Sequence, residues 1–144
     1  LRGFTYLSEN NDPEKIVSLL NRYLERMSKI IVSYGGTIDE FIGDAILAMF
    51  GVPEAHDDDP ARAVACGVAM QNALDELNAD IVSEGYPPLE MGIGINTGQV
   101  VVGNIGSEVR MKYGIVGRAV NVAARIEANT TGGEVFVGES VFEQ

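Results

Sequence analysis

Ile16, Leu19, Leu20, Tyr23, Met27, Ile30 and Ile31 recur at intervals of three and four, which places them on one stripe of a helix facing a core. Asp12-Pro13 opens that helix, Asp as N-cap and Pro at the first helical position, and Gly35-Gly36 ends it. The pattern then changes period. Thr37–Ile42 and Ala45–Gly51 alternate and are rich in large apolar residues, interrupted by Gly43-Asp44, which predicts a β-hairpin with a carboxylate at its tip. Asp57-Asp58-Asp59-Pro60 predicts the cap of a second long helix, from about Ala61 to Ser83. The first half of that helix is small and apolar on almost every face, which suggests close packing against a sheet.

Pro87-Pro88 breaks the chain before Leu89–Thr97, where Met91, Ile93 and Ile95 alternate with small or polar residues as in a strand. Val100-Val101-Val102 continues as strand after the Thr97-Gly98 turn. Gly103–Tyr113 reads as an extended arm, Ile115-Val116 as a return to the sheet, and Ala119–Ala128 as a third helix. A last strand, Glu134–Val137, follows Thr131-Gly132-Gly133. At the other end, Leu1-Arg2-Gly3-Phe4-Thr5 reads as the end of a strand running into a turn by Ser8. The order predicts an α+β fold, a ferredoxin-like, palm-type sandwich with a mostly antiparallel sheet and helices packed on one side.

The chain's 144 residues, 46% of them hydrophobic, suit one domain, residues 1–144, with one core. Ten Lys and Arg against 21 Asp and Glu leave a net charge of −11, which argues against nucleic-acid binding. A nucleotide ligand stays open, because a metal can bridge acidic residues to phosphates. The single Cys66 lies in an apolar run, so no intrachain disulfide forms; a small buried hydrophobe and an intracellular setting are expected. No apolar stretch is long enough to cross a bilayer. The abrupt ends are those expected of a domain cut at both ends from a longer protein, multidomain or membrane-anchored, with this domain facing the cytosol.

Two constellations carry chemistry. Asp44 at the hairpin tip can hold a divalent cation, and Asn121 and Arg125, four apart on one helix face, can hold phosphate oxygens. Taken alone, Gly-Asp is an ordinary turn and Asn/Arg an ordinary exposed helix face. Read together, Phe41–Gly51, Gly103–Ser107, Tyr113–Glu127 and Leu1-Arg2-Gly3-Phe4-Thr5 resemble the class III nucleotidyl cyclases of bacterial type over essentially the whole chain. These enzymes close a nucleoside triphosphate into a 3′,5′-cyclic monophosphate. The first five residues match the motif Asp-(Ile/Leu)-x-Gly-Phe-Thr from its second position onward, so its leading metal-binding Asp would stand immediately before Leu1.

The resemblance implies roles. The carbonyl of Leu1 and the carboxylate of Asp44 would bind metal, and the amides of Gly3, Phe4 and Thr5 would cradle the triphosphate. Asn121 would position the ribose and Arg125 would stabilise charge on the reacting phosphate. Two Mg²⁺ or Mn²⁺ ions per site and a homodimer with both active sites at its interface are implied, Asp44 lying in a different half of each site from Glu40, Asn121 and Arg125. The family's second triphosphate-binding Lys would fall beyond Gln144. Gln99 stands where some animal cyclases carry a phosphate-binding Arg, and His56 has no assigned role.

Base choice turns on Glu40, four residues before Asp44, where adenylate cyclases of the family carry Lys and guanylate cyclases Glu. An ionised carboxylate only accepts hydrogen bonds, and guanine offers N1–H and an exocyclic amino group side by side. Adenine presents an unprotonated N1 there. The second base-reading position, Asp or Thr in adenylate and Cys in animal guanylate cyclases, is Gly114, which leaves backbone or water to act. The resemblance therefore implies a guanylate cyclase, a lyase making cyclic GMP from GTP, with regulatory domains outside this segment. An adenylate cyclase with an unusual purine pocket and a non-catalytic dimerising relative are the alternatives. The diguanylate cyclases, whose hairpin reads Gly-Gly-(Asp/Glu)-Glu-Phe, fit less well, because Thr37-Ile38-Asp39 separates Gly35-Gly36 from Glu40-Phe41.

Overall fold

The computed structural model describes residues 1–52, 54–106 and 111–139, with the backbone alone described at 111–113. Two long antiparallel-packed partners of the core come first: helix α2 (Pro13–Ser33) and helix α3 (Asp59–Ser83), preceded by the short helix α1 (Phe4–Glu9). The apolar stripe of α2 is buried as its spacing requires, through Ile16, Leu19, Tyr23, Met27 and Ile31. Facing it, α3 buries Met70, Leu74, Leu77 and Ile81. Leu19, Met27 and Ile81 are wholly enclosed, each worth about 1.5–3 kcal/mol relative to exposure. Asp12 caps α2 as expected, its carboxylate accepting from the Glu14 N–H at 2.9 Å. The acidic run before α3 acts differently. Asp58, the N-cap, makes no cap bond and instead pairs with Arg62 of its own helix, while Asp59 accepts from the backbone N–H of His56.

The strands form three ladders. Strand β1 (Thr37–Ile42) pairs antiparallel with β2 (Ala45–Met49), turning at Gly43 with φ +60°, the left-handed region open to glycine. Strands β4 (Val101–Gly106) and β5 (Met111–Val116) pair antiparallel from Val101↔Val116 to Gly106↔Met111. The predicted arm is thus a hairpin, and its middle, 107–110, lies outside the described residues. Strand β3 (Ile93–Ile95) pairs in parallel with β6 (Val135–Val137). β1 lies against β5, and helix α4 (Arg118–Ala128) lies against β3 and β6. The architecture is the expected α+β palm-type fold, with antiparallel ladders predominating.

Two details go beyond the sequence pattern. Successive side chains of a strand face opposite sides, and Ile95 with Val135 meets Gly67 of α3 whereas Gly94 meets α4. α2 and α3 therefore share one side as expected, and α4 takes the other face of β3–β6. The second detail corrects the N-terminal reading. Only Arg2 keeps strand geometry, as an isolated antiparallel bridge to Glu90. Gly3 then turns the chain with φ +69°, and Phe4–Glu9 is helical, not the tail of a strand. The side chains of Asn10 and Asn11 take up the carbonyls of Tyr6 and Leu7 at its end. No helix among the described residues is long and apolar enough to cross a membrane.

Burial pushes the Cys66 thiol from its ordinary 9.0 up to about 11, in keeping with a small core hydrophobe. Tyr23, whose hydroxyl donates to the sulfur of Met91 at 3.0 Å, is also held neutral far above the usual range. Burial is the main cause there, and the negative charges of Asp44 and Glu127 add to it.

Candidate functional site

Asp44 sits half-buried at the β1–β2 tip, and its carboxylate lies 3.0 Å from the Leu1 nitrogen. The hairpin tip and the first residues of the chain thus meet, although 43 positions separate Leu1 from Asp44 in the sequence. Gly3, left-handed, comes within two residues of Leu1, and Phe4 and Thr5 open α1. Amides in a first helical turn have no carbonyl four residues back to bond, so Phe4 and Thr5 begin α1 with no intrahelical acceptor for their N–H groups. The Phe4 ring packs against the main core, which fixes this short loop from below.

A bulge between Ile38 and Glu40 sets the phase of β1. Ile38 pairs with Ala48, and both pack on the α2–α3 core. Glu40 pairs with Leu47, the neighbour of Ala48, so it projects from the opposite face. Strict alternation would have put Ile38 and Glu40 on the same side. The extra residue, Asp39, lets one strand bury an isoleucine and still present a carboxylate away from the core. Gly114 lies on β5, the strand β1 lies against, directly opposite Gly103 of β4. Neither pair member carries a side chain there.

Asn121 and Arg125 lie exposed one turn apart on α4, as the four-residue spacing requires. Neither is hydrogen-bonded or ion-paired to Asp44 among the described residues. The structure therefore brings together two groups within one chain: Leu1, Gly3, Phe4, Thr5 and Asp44 at one place, and Asn121 with Arg125 along α4.

What anchors α4 was not visible in the sequence pattern. A Cβ at Gly94 would stand 2.8 Å from the Ala123 carbonyl oxygen and equally close to Glu127 Cα, so helix backbone rests directly on the strand. Asn96, just past β3, donates from Nδ2 to the Ala119 carbonyl at 3.1 Å, holding the first turn. At the other end the Arg2 guanidinium reaches Glu127 and Thr130 at 2.8 Å each. The one available sequence signal was positional: Arg2 stands inside the Leu1–Thr5 motif, and Glu127 stands two residues after Arg125.

Asp44 offers oxygen, the donor that Mg²⁺ and Mn²⁺ prefer. Among the described residues no group of three or more His, Cys, Asp or Glu side chains converges on a common point. Among the described residues one carboxylate, Asp44, stands at this place, with the Leu1 backbone beside it.

Comparison with known proteins places these features. The model of the adenylate and guanylate cyclase catalytic domain matches residues 1–144. An adenylate cyclase of Anabaena cylindrica is 40% identical over 147 residues, covering 98% of this chain and 28% of its own length. The crystal structure of the guanylyl cyclase Cya2 superposes with a TM-score of 0.95 at 57% identity, covering 99% of this chain and 73% of that one. That of the adenylyl cyclase CyaB from P. aeruginosa gives 0.93 at 41% identity, covering 99% and 74%. The chain spans less than a third of the length of the first curated relatives it matches.

The Gly94 contact yields a test. In Gly94→Ala the new methyl meets main-chain atoms that cannot rotate away, so α4 has to lift from β3. A loss of about 1–3 kcal/mol is expected, read as a melting temperature lower by several degrees. Nucleotide turnover at 25 °C should fall further than the unfolded fraction explains, because Asn121 and Arg125 move with the helix. A wild-type melting curve for Gly94→Ala would contradict this packing.

Proposed function

The chain belongs to the family of adenylate and guanylate cyclase catalytic domains, and from that premise we propose that it converts GTP to 3′,5′-cyclic GMP and pyrophosphate. The ribose 3′-oxygen attacks the α-phosphorus and loses its proton, the bond from that phosphorus to the bridging oxygen breaks, and pyrophosphate leaves. Such a displacement is catalysed mainly by positioning and electrostatics. Asn121 orients the ribose. Arg125 aims a permanent positive charge at the phosphate as its charge rises, and removal of one preorganised donor of this kind typically costs ~10²–10³ in rate.

The amides of Gly3, Phe4 and Thr5 hold the triphosphate. Class III cyclase domains generally use two divalent ions, and the oxygen donors at Asp44 and Leu1 suit one side of such a site. The Leu1 nitrogen beside Asp44 is where a preceding residue would attach, so an aspartate there would set a second carboxylate next to the first. When bound, Mg²⁺ or Mn²⁺ would neutralise phosphate charge and acidify the 3′-hydroxyl.

The observation that carries the choice of GTP is Glu40, turned away from the core by the β1 bulge on a strand that lies against Gly114. Its carboxylate accepts from guanine N1–H and the 2-amino group, and meets only a lone pair on adenine N1. The 57% identity to a structure described as a guanylyl cyclase points the same way. ATP is the second reading, supported by the adenylate cyclases at 40% and 41% identity. Glu40→Lys should lower cyclic GMP formation by about tenfold or more, since a buried polar group facing the wrong partner costs roughly 1–3 kcal/mol. An unchanged rate would remove Glu40 from the pocket.

The active sites form between two copies of the chain, Asp44 and the Leu1–Thr5 loop of one working with Glu40, Asn121 and Arg125 of the other. Homodimers of Asp44→Ala and of Arg125→Ala should each be nearly inactive. Mixing them assembles one intact site per mixed dimer, and with random pairing activity should return to about one quarter of wild type. Mixing Glu40→Lys with Arg125→Ala damages the same half twice and should restore nothing. Rescue in the second mixture but not the first would reject the shared site.

A further inference from the structure

Arg2 links the loop beside Asp44 to the end of the helix that carries Asn121 and Arg125. Its neighbours Leu1 and Gly3 belong to the loop beside Asp44, and its backbone N–H donates to the Glu90 carbonyl at 2.7 Å just before β3. Its guanidinium crosses to the end of α4, where one nitrogen donates to Glu127 Oε1 and to Thr130 Oγ1, both at 2.8 Å, and to the Glu127 carbonyl. Thr130 is buried, and its hydroxyl donates in turn to the same carbonyl at 2.6 Å. Gly92 makes room for this cluster: a Cβ there would stand 3.1 Å from the guanidinium nitrogen and inside the Thr130 side chain.

An exposed ion pair is worth little. This one is half-buried, is shared among three acceptors and bridges 125 residues of sequence. All three bonds leave a single guanidinium nitrogen, so the reach and charge of the side chain make the link. Glu127 lies two residues beyond Arg125 on the same helix. A side-chain link thus runs from the loop to the helix that carries Arg125 and Asn121.

We propose that Arg2 is a positioning residue, a strut that sets the orientation of α4 relative to the Leu1–Thr5 loop and so couples the two active sites of the dimer. This rests on the shared-site reading above. In that reading the loop of one chain serves one site and the α4 of the same chain serves the other. The strut is the direct side-chain path between them within a chain. Neither Arg2 nor Glu127 has a part in the chemistry proposed above.

The test places Arg2→Gln in the complementing pair, using the full chain. The first chain carries Asp44→Ala and the second Arg125→Ala, so the live site uses the second chain's loop and the first chain's α4. Arg2→Gln is then added to the first chain, whose own loop serves only the dead site. A local role in the loop leaves the live site untouched. The strut predicts that its kcat falls by roughly tenfold or more, the range expected for misplacing a reacting group by a fraction of an ångström to one ångström. KM for the nucleotide should change by less than about threefold. Arg2→Lys in the same place should recover part of the loss. Unchanged kcat, with the mixed dimer intact by size, would overturn the proposal.

If the parent pair itself gives no activity, the shared-site reading fails and the strut is judged separately in homodimers. Glu127→Ala should then lower turnover in the wild-type background and have no further effect in an Arg2→Gln background. Additive losses would overturn the strut there too.

Discussion

The absence of a side chain at Gly94 decides where α4 lies. Ala123 and Glu127 rest their main chain on the strand at this point, and no rotamer change can substitute for that contact. On the other face of the same ladder, α3 approaches through its own glycine, Gly67, whose Cβ would lie 3.2 Å from Val135. The parallel β3–β6 pair is thus clasped from both sides at glycine contacts. One helix continues the core with α2. The other is left with its Asn121 and Arg125 outward, on a backbone that has little freedom to shift. Catalysis by positioning requires such rigidity in the element that carries the charge.

The site side of the molecule is felt in the core. Tyr23 sits in α2 among the buried residues, yet the charges of both Asp44 and Glu127 help to keep its hydroxyl protonated. Charge at the hairpin tip and at the end of α4 thus reaches the same residue of α2. The hydroxyl spends its hydrogen bond on the Met91 sulfur, while Asp44 lies beside the Leu1 nitrogen and Glu127 accepts from Arg2. A net charge of −11 makes the surface inhospitable to a bare triphosphate.

Much of this was legible in the sequence, where local signals carry it. The α2 stripe, its Asp12 cap, the β1–β2 hairpin and α4 with its Asn121/Arg125 face come from period, capping and turn chemistry, which act over a few residues. The start of the chain misleads because Leu1–Thr5 is too short to show a period, whereas the left-handed turn at Gly3 and the asparagine caps at Asn10 and Asn11 make Phe4–Glu9 a helix. The bulge at Asp39 is hidden as well, since alternation alone puts Ile38 and Glu40 on one face. Long-range links leave no periodic trace. The parallel pairing of β3 with β6 and the reach of Arg2 to Glu127 depend on how elements settle against each other, as does the division of α3 and α4 between two faces. Motif resemblance assigned the candidate residues one at a time, and the structure shows how the elements that carry them are connected.

The central claim is that a carboxylate at Glu40 selects guanine in a cyclase site. The most direct measurement is a single incubation of the purified dimer with equimolar GTP and ATP and Mn²⁺, followed by quantification of both cyclic products. Cyclic GMP is expected to exceed cyclic AMP by about tenfold or more, the ratio set by one mispaired polar group. Equal amounts, or an excess of cyclic AMP, would contradict the account.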